Sequence, residues 1–514
     1  MIRKLSLTLL AATTLCAGAS VEAAPKAPTV KVQQGVLSGT VDQGITSFKG
    51  IPYAAPPVGP LRWRAPQAPA HWQGVRRADR FGFICTQPDI PGGPGLPQSE
   101  DCLTLNVWKP SAPAKGKRPV MLWIHGGGSF MGAGSDPLYD GSALAREGVV
   151  VVSINYRLGA LGYFVHPALS GAAADVKADG GMLANYGLMD QLAAMRWVKR
   201  NIAAFGGDPA NVTIFGESAG GCYVDMWMTS PVARGLFARA ITESCPGFIE
   251  SRTMAEGTQR GEALARALGV EGAGPEALAR LRALPAADFV TRAAIKGTYP
   301  FIDGKIVPED PFRAAQAGHA ARVPWLIGSN SFDASYLPYF GVDISKPLAA
   351  YTPADQSRIL AAYTPPGADD VAKHRAPMAF LSDMVMGASD RLFATQAAAV
   401  GAPTWIYSFR YEGSATKPDS LGVPHGGELP YVFGNAGQGI ALVSAKDHAV
   451  SSEVRRVWTD FAKGRLPLAQ SWSSARRTLV FGTDGTLSTP QDYHRARLDL
   501  ATPFARDNAG RWDP

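Results

Sequence analysis

Asn211-Val212-Thr213-Ile214-Phe215-Gly216-Glu217-Ser218-Ala219-Gly220 carries an apolar, β-branched run straight into a Gly-x-Ser-x-Gly turn. The first five residues read as a buried strand, and Cys222-Tyr223-Val224-Asp225-Met226-Trp227-Met228 as the mostly apolar helix that follows. Ser218 therefore stands on a sharp strand-to-helix elbow, a strained turn around which the small residues Gly216, Ala219 and Gly220 let strand and helix approach closely. The helix start adds amide donors and a positive dipole end beside the hydroxyl. Alone, such a motif is as compatible with a plain strand-turn-helix connection as with a nucleophile, so its surroundings decide.

Outward from the elbow, apolar strands alternate with longer amphipathic segments, the pattern of a mostly parallel sheet covered by helices. Val120–Ile124, Val149–Ile154, Ala238–Thr242, Val323–Ile327 and Thr404–Phe409 read as strands. Between Asp190 and Ile202, Leu192, Met195, Val198 and Ile202 recur at helical spacing, and Gly206-Gly207-Asp208-Pro209 ends that helix before the nucleophile strand. Val450, Val454, Val457, Trp458 and Phe461 mark a helix stopped by Gly464 and Pro467. About a hundred glycine- and proline-rich residues precede the core, with short alternating segments such as Gly35–Val41 that suggest an antiparallel hairpin region. Residues from about Met254 to Ala293 are dominated by Ala, Leu, Arg and Glu at helical periods, which predicts a helical insertion over the site within about 250–320.

With 514 residues, 46% hydrophobic and 18% charged, the chain has the balance of a globular protein with a large core, and no linker divides it. One domain over 24–514 is the expectation. A formal charge of +7 is mild at this length, and without a basic helix, interleaved aromatics or zinc-type spacing, nucleic acid is excluded as a partner. Arg3 and Lys4 precede the apolar run Leu5–Ala19, which is too short for a permanent membrane anchor and reads as a secretory leader over residues 1–23. Val21 and Ala23 satisfy the small-x-small rule for cleavage after Ala23, with cleavage after Ala19 as the alternative. The product is expected in the periplasm or outside the cell. Removing Cys16 leaves Cys85, Cys102, Cys222 and Cys245, an even number suited to an oxidising compartment. Sequence proximity favours Cys85 with Cys102 and Cys222 with Cys245, although the latter two are equally readable as buried small residues.

A serine hydroxyl is a weak nucleophile, so it needs a base and a group that holds the base in the right tautomer. In strand-elbow enzymes the chain order is serine, acid, histidine. His425, in Gly422-Val423-Pro424-His425-Gly426-Gly427-Glu428, is the best downstream base, because a glycine-rich loop after a strand is where such a group belongs. His125-Gly126-Gly127-Gly128 follows a strand, and the amides of Gly127, Gly128 and Ala219 would serve as oxyanion donors. A phosphate loop would want Gly-Lys-Ser/Thr, and Ser129-Phe130-Met131 is not that. No metal or organic cofactor is called for. Trp227, Phe332, Tyr336 and Phe340 are candidate pocket aromatics and equally candidate core residues.

In order along the chain, Phe48-Lys49-Gly50-Ile51-Pro52-Tyr53-Ala54, Pro56–Trp63, Ser99-Glu100-Asp101-Cys102-Leu103-Thr104-Leu105-Asn106-Val107, Asn155-Tyr156-Arg157-Leu158-Gly159, the elbow and His425-Gly426-Gly427-Glu428-Leu429-Pro430 resemble the type-B carboxylesterase/lipase family, which includes the cholinesterases. The resemblance runs from about 30 to about 465. It implies an α/β-hydrolase fold, a small-molecule carboxylic ester as substrate, Ser218 as nucleophile, His425 as base, Gly127, Gly128 and Ala219 as the oxyanion hole, and a Cys85–Cys102 bridge. In one place the chain departs from the family, whose acid is usually the glutamate of Gly-x-Asn-x-x-Glu-Gly. Here the matching stretch is Gly328-Ser329-Asn330-Ser331-Phe332-Asp333-Ala334, so Asp333 takes that place. Adhesion modules share this scaffold, so a catalytically silent binding protein is the rival reading; such proteins typically lose the serine or histidine.

Overall fold

The computed structural model describes residues 27–89, 95–247, 252–291, 298–414, 420–437 and 441–507. The leader read at 1–23 lies outside the described residues, as do Ala293 and the side chain of Phe340. The centre is an eleven-stranded sheet that runs parallel from Val150–Ile154 through Arg118–Ile124, Gly207–Glu217, Arg239–Glu243, Trp325–Asn330 and Thr404–Phe409 to Thr478–Phe481. Antiparallel strands close both edges: Thr104–Pro110, Ile45–Pro52 and Thr40–Asp42 on one side, Leu487–Ser488 on the other. This is an α/β-hydrolase fold.

The parallel strands are mostly buried along their length because both faces are covered. Along Arg118–Ile124, Val120, Leu122 and Ile124 pack into one core layer, while Met121 and Trp123 enter the other. The first layer is closed by the helices Tyr186–Asn201 and Ala219–Thr229, the second by Ala445–Ala462, whose Val450, Val454, Val457, Trp458 and Phe461 all face inward. Ser444 and Asp447 form a capping box at the start of that helix.

Several boundaries differ from the sequence reading for identifiable reasons. The strand leading to Ser218 begins at Gly207, inside the stretch read as a terminator, and its register breaks between Gly207 and Val212, where Pro209 has no amide to donate. The preceding helix, read from Asp190 to Ile202, runs over Tyr186–Asn201, with Asp190 buried inside it in an ion pair with Arg157 at 2.7 Å. Gly35–Val41 is two strands; a side chain at Gly39 would sit 2.3 Å from the Ser47 carbonyl, so the chain turns there from one sheet to the next. Thr29–Val32 and Gly35–Ser38 form the antiparallel hairpin, extended by Val75–Arg77 in parallel.

Within the stretch read as a helical insertion, Met254–Ala267 and Pro275–Ala283 are helices. Their neighbourhood includes Val165 and the ion pair of Arg282 with Asp175 at 3.2 Å, and Phe289 beyond them packs edge-on to Trp63. A second helical block, Pro353–Tyr363, Asp370–Ser382 and Ala388–Ala399, was not singled out in the sequence. It shares a separate apolar cluster with Ala334 and Leu337, directly after Asp333.

Candidate active site

Five of the parallel strands deliver their carboxyl ends to one place, the usual location of sites in open α/β sheets. Gly207–Glu217 ends in Ser218, Arg118–Ile124 in the His125–Gly128 loop, Arg239–Glu243 in Ser244, Trp325–Asn330 in the turn bearing Asp333, and Thr404–Phe409 leads to the His425 loop.

Ser218 sits at φ 58°, ψ −127°, a conformation that costs on the order of 1–3 kcal/mol and persists only when its surroundings enforce it. The enforcement is visible. Its amide donates to the Glu243 carbonyl at 2.9 Å, and the helix behind it presses so close that a Cβ at Gly220 would lie 2.1 Å from the Ile124 carbonyl. Only glycine permits that approach.

The structure brings the three candidate catalytic residues together. The Ser218 hydroxyl donates to His425 Nε2 at 2.8 Å, and His425 Nδ1 donates to Asp333 Oδ1 at 2.7 Å. Asp333 is fully buried, and its other oxygen accepts from the Ser244 hydroxyl at 3.0 Å and from the Asn330 amide. The histidine loop is tied to the acid turn along its length: Phe332 N donates to Val423 O at 2.8 Å, and His425 N to Ser335 Oγ at 2.8 Å. Gly127 and Gly128 follow their strand with φ of 102° and 60°, in a turn closed by Met131 N donating to Gly127 O at 3.0 Å. Among the described residues, no other backbone group takes up the amides of Gly127, Gly128 or Ala219. Gly126 packs on the elbow itself, where a Cβ would be 3.0 Å from that of Ser218.

Behind the imidazole lie three buried glutamates that the sequence reading did not assign. Glu217 Oε1 is 3.3 Å from His425 Nε2. Glu428 accepts from Asn330 Nδ2, and Glu243 accepts from Trp458 Nε1 at 3.1 Å. Burial raises all three carboxyls: Glu217 to about 7, Glu428 to about 8, and Glu243 well above the carboxylate range. For His425, burial works against the proton, but the charge of Glu217 and the hydrogen bond and charge of Asp333 outweigh it and lift the imidazole to about 9. The two effects are linked, since each proton taken by Glu217 removes part of the attraction that holds one on His425.

Of the candidate pocket aromatics, Tyr336 packs on the His425 ring with centroids 4.9 Å apart. Trp227 is core; it is fully buried and donates to Gln191 at 2.8 Å. Phe332 packs at the edge of the cluster around Leu337. Both cysteine pairs are bonded, Cys85 to Cys102 and Cys222 to Cys245. The second bridge joins the first turn of the helix Ala219–Thr229 to the residue after Ser244. The signals for the missed residues were positional: Glu217 precedes the serine, Asn330 and Glu428 lie three residues from Asp333 and His425, and Ser244 follows a strand of the same sheet. Among the described residues no group of three or more His, Cys, Asp and Glu side chains is arranged to hold a metal.

Residues 26–480 match the model of the carboxylesterase family. The chain is 37% identical to the para-nitrobenzyl esterase of Bacillus subtilis (strain 168) over 507 residues, covering 91% of this chain and 98% of that protein. It is 34% identical to the fumonisin B1 esterase of Sphingopyxis macrogoltabida, covering 85% and 82% of the two chains. A solved structure of a PNB esterase superposes with a TM-score of 0.74 at 32% identity, over 91% of this chain and 99% of the other.

Proposed function

The chain belongs to the carboxylesterase family and is a carboxylic ester hydrolase, and we propose that it cleaves small-molecule esters through an acyl-enzyme on Ser218. The observation that carries this reading is the unbroken relay from the Ser218 hydroxyl through both nitrogens of His425 to the buried Asp333. Neutral His425 takes the hydroxyl proton at Nε2 as Ser218 Oγ bonds to the ester carbonyl carbon. The carbonyl π pair moves onto oxygen, and the amides of Gly127, Gly128 and Ala219 receive that charge. The pair returns, the carbon–oxygen bond to the alcohol breaks, and the imidazolium hands its proton to the departing oxygen. Water then repeats the sequence on the acyl-enzyme and releases the acid. Asp333 orients the ring and stabilises the imidazolium.

Ser218 and His425 are both present and hydrogen-bonded, which supports turnover over a silent binding role. The same reading takes 24–514 as one domain after cleavage of the leader at Ala23, with the 250–320 insertion bordering the site. Two disulfides support export to an oxidising compartment, and among the described residues no helix is long and apolar enough to cross a membrane. The test is p-nitrophenyl acetate hydrolysis with and without a serine-directed organophosphate, followed by peptide mass mapping. The expected result is complete inactivation with one adduct on the Ser218 peptide. An adduct elsewhere, with Ser218 unmodified, overturns the assignment.

A further inference from the structure

The strands Trp325–Asn330 and Thr404–Phe409 also border a second, polar cavity, which none of Ser218, Asp333 and His425 lines. Its walls come from the strand end Ser329–Ser331, from Asp383–Arg391, from Ser408 and Arg410, and from the chain that enters the C-terminal helix, Tyr493–Leu498. The open room is about 50 Å³. On that measure it holds about three to five waters, or one ion of comparable size.

The ion pairs around it leave one lining arginine over. Arg391, Arg410 and Arg497 line the cavity together with two acids, Asp383 and Asp390. Asp383 is taken by Arg497 at 2.9 Å, and Arg391 turns to Asp499, outside the cavity, at 2.7 Å. Asp390 is buried, and burial pushes its carboxyl well above the usual carboxylate range. Ser329 Oγ donates to its Oδ2 at 2.6 Å, and its Oδ1 has no partner. Arg410 forms no ion pair with any carboxylate among the described residues. The effect is registered by His494, from which burial, then Arg497 and Arg410, drive the proton away.

We infer that this cavity binds a small carboxylate anion of the size of acetate, held by the guanidinium fork of Arg410 with His494 and Asp390 as neighbouring hydrogen-bond partners. The planar fork matches a carboxylate with two parallel bonds, and four heavy atoms fit the room available. The site is separate from the ester-cleaving relay and stands whether or not that relay is read correctly.

The experiment follows the imidazole carbon-proton signals of His494, assigned with His494→Gln, in the full-length mature protein while sodium acetate replaces sodium chloride at fixed ionic strength. A saturable shift is expected, with the His494 pKa moving up as the anion offsets the two arginines. Arg410→Gln should weaken acetate about tenfold or more and Arg410→Lys by less, since losing a charge-assisted bidentate contact removes both charge and fork. Ser218→Ala should bind acetate as the unmodified protein does. A His494 signal that treats acetate and chloride alike overturns the proposal, as does equal affinity in Arg410→Lys and the parent. Tighter binding of inorganic phosphate than of acetate overturns the carboxylate assignment.

Discussion

Glu217→Gln removes a charge from beside the base without changing the shape of the elbow, and the structure sets the size of the effect. The Glu217 and His425 side chains meet at 3.3 Å. A full charge at that distance is worth about 1.3 kcal/mol at the dielectric of water and about 5 kcal/mol at an effective value near 20. In pKa terms those limits are about 0.9 and about 3.7 units. Glu217 is itself pushed up to about 7, so near neutrality it carries only part of its charge, and the lower half of the range applies. The sign follows from the imidazolium being the charged form: losing the anion destabilises it, and the pKa of His425 falls. Because His425 must be neutral to act as base, the acid limb of kcat/KM should move down by about one to two pH units. The assay is the pH profile of kcat/KM for p-nitrophenyl acetate at constant ionic strength, with circular dichroism to check folding. An acid limb that stays in place, or moves to higher pH, refutes the reasoning.

Asp333→Asn should keep the fold and lose about 10⁴-fold in kcat, because the amide stabilises the wrong tautomer of His425 and cannot offset the imidazolium; turnover near the parent value would place the acid elsewhere. Ser244→Ala removes one donor from the buried Asp333 carboxylate, so kcat should fall several-fold with KM unchanged, the loss of about 1 kcal/mol in orientation. An unaltered kcat would show that the hydroxyl does not hold the acid. Gly220→Ala places a methyl 2.1 Å from a backbone carbonyl that cannot retreat, and should lower stability by about 1–3 kcal/mol or more in urea unfolding. A midpoint equal to the parent's would mean the elbow is looser than described.

The strands were legible where apolar runs were long: Thr404–Phe409 has the boundaries read from sequence, and Arg118–Ile124 and Val150–Ile154 differ from them only at their first residues. Those runs are buried on both faces, so composition alone marks them. The helix read from Asp190 begins at Tyr186, because its first turn, Tyr186-Gly187-Leu188-Met189, is buried on all sides and so shows no helical periodicity, and a distant Arg157 makes the buried Asp190 possible. The helices Pro353–Tyr363 and Asp370–Ser382 gave a weak amphipathic signal and bury only part of themselves on the acid turn. The glutamates behind His425 carried at most a positional signal, since their meaning depends on strands and a loop converging.

By itself, the order of residues determined the strand-elbow-helix unit, the alternation that makes a parallel sheet, and the serine, acid and histidine to examine. These are local properties: periodicity, small residues at a turn and a glycine-rich loop act within a few positions of themselves. Only tertiary structure decided that the Ser218 hydroxyl, His425 and Asp333 lie within 2.8 Å of one another in succession, that Ser244 accompanies the acid, and that Arg410 lines a polar cavity without an ion pair among the described residues. Those relations join segments some ninety to two hundred residues apart. Hydrogen bonds and charges act over a few ångströms, and the distances between such segments exist only once the sheet has set them.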